Sequence, residues 1–377
     1  MTKSRPPFCP NRECSAHYEP PGNRWYFRRG TYSSELHPRI QRFGCRLCGC
    51  GFSSQTFDID YYAKRKVSYH RLVMLVGSCC GIRQIARYLG VGYETVSNRI
   101  MRFARQAMGM QLQLLDTHAV AENLSSDGLH SYWVSQYVPS NITVLAGSQS
   151  RFIYAAVGST LRRSGRMTEA QKKRREELER RFRADPKALS HAFTEICDTV
   201  CRLVERSDRG VTVLDTDRHL AYRAALRSHG PWHELRSSAR VVHRRTDSRV
   251  ARTATNPLAA VNSVDRQIRI DLAEHVRETV RFARNPNRSM ERFWVWCYTY
   301  NYHKRYRINQ PVADTTRHYQ AARFDEQAVR KAWQGIWRTR KFLSRIRPTG
   351  SMLALWMRMI ERPFQPTNDY LPNYIAA

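Results

Sequence analysis

Two groups of residues in this 377-residue chain have the types and spacing for chemistry: paired cysteines near the start, and a few carboxylates set among many cations. Of ten cysteines, five are Cys9, Cys14, Cys45, Cys48 and Cys50. Cys9-Pro-Asn-Arg-Glu-Cys14 and Cys45-Arg-Leu-Cys48 each set two thiolates on a tight turn. Two such turns close a tetrahedral Zn²⁺ site. Cys50 could replace Cys48, and His17 or His37 could replace Cys14. With four ligands from protein, the zinc is structural and leaves no open position for catalysis. Cys79-Cys80 and the helix-spaced Cys197 and Cys201 read as core residues.

Acidic residues number 32 against 63 Lys and Arg, so carboxylates placed at strand ends stand out. Three do: Asp127 in Ser-Ser-Asp-Gly-Leu-His, Asp217 after the apolar run 211–214, and Glu291 at the start of an aromatic helix. Mg²⁺ prefers carboxylate oxygens. In a two-metal nuclease one ion activates the attacking hydroxyl and the other stabilises the leaving oxygen. Such a site takes one carboxylate from a central strand, one from a neighbouring strand and one from a helix. Each residue alone also has a plain structural account, since Asp before Gly is a turn residue and Asp at a strand end often caps a helix. Asp215 competes with Asp217, while Asp271, Glu274 and Glu278 compete with Glu291.

The elements that must position these groups read as an α/β multidomain chain. Residues 1–60 read as a zinc ribbon and 61–108 as a helical helix-turn-helix domain. In the latter, Ile82, Ile85, Ala86 and Leu89 face inward on a first helix, Gly90 turns the chain, and a second helix runs from Tyr93 to Phe103. Its outward residues include Tyr93, Thr95, Ser97, Asn98, Arg99 and Arg102, types that reach base edges and phosphates. A linker helix follows at 109–122. Strands are expected at 135–138, 141–146, 151–157 and 210–214, with helices at 161–183 and 187–205 inserted between them. A helix at 219–229, an irregular arginine-bearing stretch at 230–262, and helices at 264–282 and 289–303 complete a domain over 109–308. Residues 309–377 form a basic aromatic tail with a helix at 326–346.

The formal charge of +31 points to a polyanionic partner. Hydrophobic residues make up 42%, too many for a disordered basic tail. No run of about 18 apolar residues exists to span a membrane. The opening MTKSRPPFCP lacks a signal peptide's apolar stretch, so a cytoplasmic, nucleoid-associated protein is expected.

Taken in order, these parts resemble bacterial insertion-sequence transposases of the DDE type, in the group whose zinc ribbon and helix-turn-helix precede an RNase H-like catalytic domain. The segments that carry the resemblance are Arg-Phe-Gly-Cys-Arg-Leu-Cys-Gly (42–49), Leu-Asp-Thr-Asp-Arg-His-Leu-Ala-Tyr (214–222) and the basic run 276–292; Asn256-Pro-Leu258 and Val264-Asp-Arg266 are also similar. The resemblance implies that Asp127, Asp217 and Glu291 hold catalytic Mg²⁺, with Glu278 as rival for the third place. It implies cleavage at the element's ends, then attack of the freed 3′-hydroxyl on target DNA. It also implies that the second helix reads double-stranded transposon ends, and that a homodimer or higher oligomer forms on DNA. A DNA-binding regulator without catalysis and a hydrolytic nuclease are the alternatives.

Overall fold

The structure, a computed structural model, describes residues 5–22, 24–247, 249–276, 279–307 and 309–365. Among them the chain is α/β, with fourteen α-helices and two sheets. The first module holds a short helix α1 (Ser15–Tyr18) and an antiparallel sheet β1 (Tyr26–Tyr32), β2 (Ile40–Cys45), β3 (Gly51–Ser53). Its core is little more than Trp25, Phe43 and Phe52, with Phe52 stacked on the other two at 5.9 and 5.5 Å. So small a core calls for a staple.

Three mutually packed helices follow: α2 (Tyr69–Val76), α3 (Ile82–Leu89) and α4 (Tyr93–Leu115). Gly90 ends α3 in the left-handed conformation (φ +64°), which a residue with a Cβ adopts at a cost. The expected break between a helix ending at 103 and a linker at 109 does not occur. Ala104, Ala107, Met108, Met110 and Leu114 extend the apolar face, and every residue from 99 to 111 is buried in one 23-residue helix.

The second sheet is built from β4 (Leu124–Tyr132), β5 (Pro139–Gly147) and β6 (Ile153–Thr160), a meander. The helices α5 (Glu169–Glu179) and α6 (Ala188–Glu205) then precede β7 (Thr212–Asp217), α7 (Leu220–Arg227), α8 (Gly230–Ser237) and β8 (Val241–Thr246). The strand order is β6-β5-β4-β7-β8. β4 lies at the centre, antiparallel to β5 and parallel to β7, and β7 is parallel to β8. Residues 135–138, expected as strand, form the turn after β4 instead. The strand begins earlier because Ser125 and Ser126, polar by type, are small enough to be wholly buried between neighbouring strands. β8 and α8 occupy part of the stretch expected to be irregular. β8 is an edge strand whose Arg244 and Arg245 face solvent, so it lacks an apolar run. Of the expected insertion, α5 buries nothing. α6 belongs to the core, with Phe193, Ile196, Cys197, Val200, Cys201 and Val204 buried against the sheet and α7.

α9 (Ala259–Asp271) packs on β4 and β5, ending where Leu272 turns extended. α10 (Pro286–Tyr302) is capped by Asn285 and lies along α4 and α2. The C-terminal residues fold as α11 (His318–Ala321), α12 (Glu326–Ile336), α13 (Leu343–Ile346) and α14 (Gly350–Trp356). The expected helix 326–346 is interrupted because the backbone after α12 pairs with the ribbon's exit: Ile59 N donates to Arg338 O at 2.9 Å and Arg340 N to Phe57 O at 2.8 Å.

Candidate functional site

The four predicted cysteines meet. Cys9 Sγ lies 3.6 Å from Cys48 Sγ and Cys14 Sγ 3.7 Å from Cys45 Sγ, and all four sulfurs fall within 4.8 Å of one another. A tetrahedron with Zn–S bonds of about 2.3 Å has sulfur–sulfur edges of about 3.8 Å, so the cluster has the size of a structural zinc site. Burial raises the Cys9 and Cys14 thiols. For Cys48 burial also raises, but the Cys50 backbone and the Asn11, Cys9 and Cys45 side chains outweigh it and bring the thiol down to about 7. Cys50 stays outside the cluster. His17 is no ligand either, since its ring nitrogens bond Cys9 O at 2.7 Å and Ser344 Oγ at 2.9 Å. Cys197 and Cys201 are core as expected, whereas Cys79 and Cys80 remain half-exposed.

Asp127 and Asp217 are brought together by the sheet. Ser125 pairs with Asp215 across the parallel β4–β7 ladder, so two residues further on Asp127 comes level with Asp217. Asp127 Oδ1 accepts from Gly128 N at 2.7 Å. A Cβ on Gly128 would sit 2.2 Å from Asn141 Nδ2, so this position admits only glycine without displacing a buried side chain. Burial and then the Asp217 charge push the Asp127 carboxyl up from 3.8 to about 6, against the lowering effect of Gly128 N, Arg252 and His219. Asp217 Oδ1 accepts from His219 N at 2.8 Å, at the start of α7. Its rival Asp215 is spent in a bidentate pair with Arg244 on β8, at 2.5 and 2.9 Å.

Glu291 has a partner of its own. It is buried on α10 and chelated by Arg358, with bonds of 2.6 and 2.9 Å. Glu274 is paired with Arg292 at 2.8 Å, and Asp271 accepts from Gln267, Trp296 and Lys304. Glu278 lies outside the described residues. The third carboxylate beside Asp127 is Asp265 of α9, which sequence reasoning passed over. Its pKa is held well above the carboxylate range, first by burial and then by the Asp127 charge. Its Oδ1 is buried without a hydrogen-bond partner. The signal was present in the pattern: Val261, Val264, Ile268 and Leu272 form the buried face of this helix, and Asp265 interrupts that stripe at helical spacing.

Tyr222 of α7 lies within the field of all three. It is buried, and after burial the charges of Asp127, Asp217 and Asp265 are what hold its hydroxyl's pKa well above the usual value. Among the described residues, only the cysteines form a group of ligand atoms within 4.8 Å of one another.

The residues expected to face outward from the second helix divide. Ser97, Arg99 and Arg102 are buried. Arg99 reaches Asp60 at 3.3 Å and Arg65 O at 2.9 Å, and Arg102 donates to Ile59 O at 3.0 Å and Tyr61 O at 2.7 Å over the Tyr61 ring. The chain leaving the ribbon covers this face and takes up their charge. Tyr93, Thr95 and Asn98 are half-exposed, and the Tyr93 hydroxyl accepts from Arg288. The open face belongs to α3, where Arg83, Gln84, Arg87 and Tyr88 are exposed.

No family model matches the chain, and no curated protein matches it significantly. Among the described residues no helix is long and apolar enough to cross a membrane.

Proposed function

We propose that the chain is a DDE-type DNA transposase, RNase H-like in its catalytic core, with Asp127, Asp217 and Asp265 as its carboxylates. The placement of Asp127 and Asp217 on the parallel β4–β7 pair, with Asp265 on α9 packed over β4, carries the reading. It supplies the distribution the chemistry calls for: a central strand, its parallel neighbour, and a helix packed on the sheet. The orphaned buried Oδ1 of Asp265 fits a hard cation. Bound Mg²⁺ would supply Lewis acidity toward the phosphodiester and an activated attacking hydroxyl. Asp127 keeps one oxygen on Gly128 N and has the other for a ligand. Arg252, whose charge acts on both Asp127 and Asp265, is the cation available to a phosphate there. The α2–α3–α4 unit with its Gly90 turn is read as the helix-turn-helix that holds the element's ends, in a dimer or larger assembly.

The test is incubation with Mg²⁺, DNA carrying the element's ends, and a target plasmid, scoring 3′-end cleavage and joining. Wild type and Glu291→Gln should cleave and join; Asp127→Ala, Asp217→Ala and Asp265→Asn should bind the ends but do neither. Cleavage without joining would favour a hydrolytic nuclease. Tight binding with no cleavage would favour a DNA-binding regulator. Loss of activity in Glu291→Gln with retention in Asp265→Asn would return the third place to Glu291.

A further inference from the structure

A groove of about 530 Å³ runs between α3 and the segment that leads into α10. Six arginines line it: Arg83 and Arg87 from α3, and Arg281, Arg284, Arg288 and Arg292 from the other wall. The carboxylate among its described lining residues, Glu274, is matched by Arg292 at 2.8 Å, and Glu94 beside it by Arg288 at 3.2 Å. Arg281 donates to Cys79 O at 3.1 Å. Arg83, Arg87 and Arg284 make no hydrogen bond or ion pair with any described residue, and all three are exposed. A folded chain gains nothing by gathering unpaired like charges around a concavity; an anion relieves that cost.

Two further features point into the same groove. It reaches the first turns of the 17-residue α10, whose dipole favours negative charge. Ser289 Oγ on that helix is buried without a partner, as is Arg292 Nε, although both residues are more than nine-tenths buried. Both residues line the groove, and neither atom is spent on another described group.

We propose that this groove seats the sugar-phosphate backbone of duplex DNA, with α3 rather than the buried face of α4 laid on the duplex. The inference rests on the DNA-binding reading above and deepens it. Arg83, Arg87 and Arg284 each neutralise a phosphate, and the contact is indifferent to sequence. Because one wall is α3 and the other leads into α10, a single duplex touches both the three-helix unit and the region carrying the catalytic sheet.

The experiment is fluorescence anisotropy of the full chain with labelled duplexes of two unrelated sequences, titrated at several KCl concentrations. Three lost phosphate contacts, at a slope of about 0.9 each, should lower the salt dependence of log K by about 2.7 in Arg83→Ala/Arg87→Ala/Arg284→Ala, equally for both sequences. The matched control Arg223→Ala/Arg227→Ala/Arg236→Ala removes the same charge from α7 and α8 and should keep most of the wild-type slope. Since the three groove arginines bond nothing described, the variant should fold, and Arg284→Ala alone should lower the slope by about 0.9. An unchanged slope in both groove variants, or an equal fall in the control, overturns the groove assignment and leaves DNA binding standing. A wild type that binds neither duplex overturns both.

Discussion

Asp127→Asn should make the metal-free protein more stable at neutral pH while abolishing its proposed activity. The side chain is forced to choose between a proton and an unfavourable charge: burial first, and then Asp217, push its carboxyl from 3.8 to about 6. The sign follows from proton binding. Between about pH 4 and pH 6 the folded state holds a proton that the unfolded state has released, so stability falls as pH rises through that window. Above it, the cost is constant. At 1.36 kcal/mol per pKa unit it amounts to about 3 kcal/mol at most. Asparagine keeps the acceptor for Gly128 N and carries no charge, so the variant escapes the cost. Unfolding entropy of about 2.1 cal/mol/K per residue converts 3 kcal/mol to about 4 °C for a cooperative chain of 377 residues. Thermal melts of the two proteins with EDTA, from pH 4 to pH 8, measure it: the curves should coincide near pH 4 and separate by pH 7, the variant melting higher. Added Mg²⁺ should close the gap by stabilising only wild type. A variant that melts lower at pH 7, or a gap that is the same at pH 4, would refute the electrostatic account of this strand.

Three other outcomes are expected. Purified protein should carry one zinc per chain by elemental analysis; Cys45→Ser should lose it and expose 5–57 to protease, while Cys50→Ser keeps it, because only the former sulfur belongs to the cluster. Arg358→Ala should cost about 3 kcal/mol in denaturant unfolding, since it strands the buried Glu291 carboxylate, yet leave Mg²⁺ affinity by calorimetry unchanged. Arg102→Ala should cost about 1–3 kcal/mol by orphaning two carbonyls, with the salt dependence of DNA binding unmoved; a weakened salt slope would put Arg102 on the DNA after all.

Legibility in the sequence followed local spacing. The cysteine pairs were readable because ligand spacing is local, and the Gly90 turn because a left-handed residue there has a type. Asp217 was readable as the acidic end of a short apolar strand. What failed depended on packing from far along the chain. Arg99 and Arg102 look outward by helical phase, but residues 59–65 cover that face. Glu291 has the type and helix expected of a metal ligand, and nothing near it in sequence reveals that Arg358 pairs with it. Asp265, the third carboxylate of the proposed site, lies inside a helix rather than at the end of an element. It interrupts an apolar stripe, where a carboxylate has no structural reason to be.

The C-terminal residues change what the order of modules means. Read linearly, the ribbon, the helices and the sheet follow one another as beads. Yet Gln106 of α4 donates to Ile336 O and Thr339 O, and Arg105 of α4 to Trp356 O. Ser344 and Arg345 hold the ribbon through His17, and Arg358 and Ile360 hold α10 through Glu291 and Asn287. One segment thus bonds all three parts. α4 itself ends the three-helix unit and packs lengthwise on α10, so the two share a helix rather than a linker. Independent swivelling of the three-helix unit would break buried hydrogen bonds from Arg105 and Gln106, each costing about 1–3 kcal/mol to leave unmade. On the DNA-binding reading proposed above, adjustment to a duplex would come from side chains in the groove rather than from a joint after the three-helix unit, because the linker expected at 109–122 is, as far as Leu115, a continuation of α4.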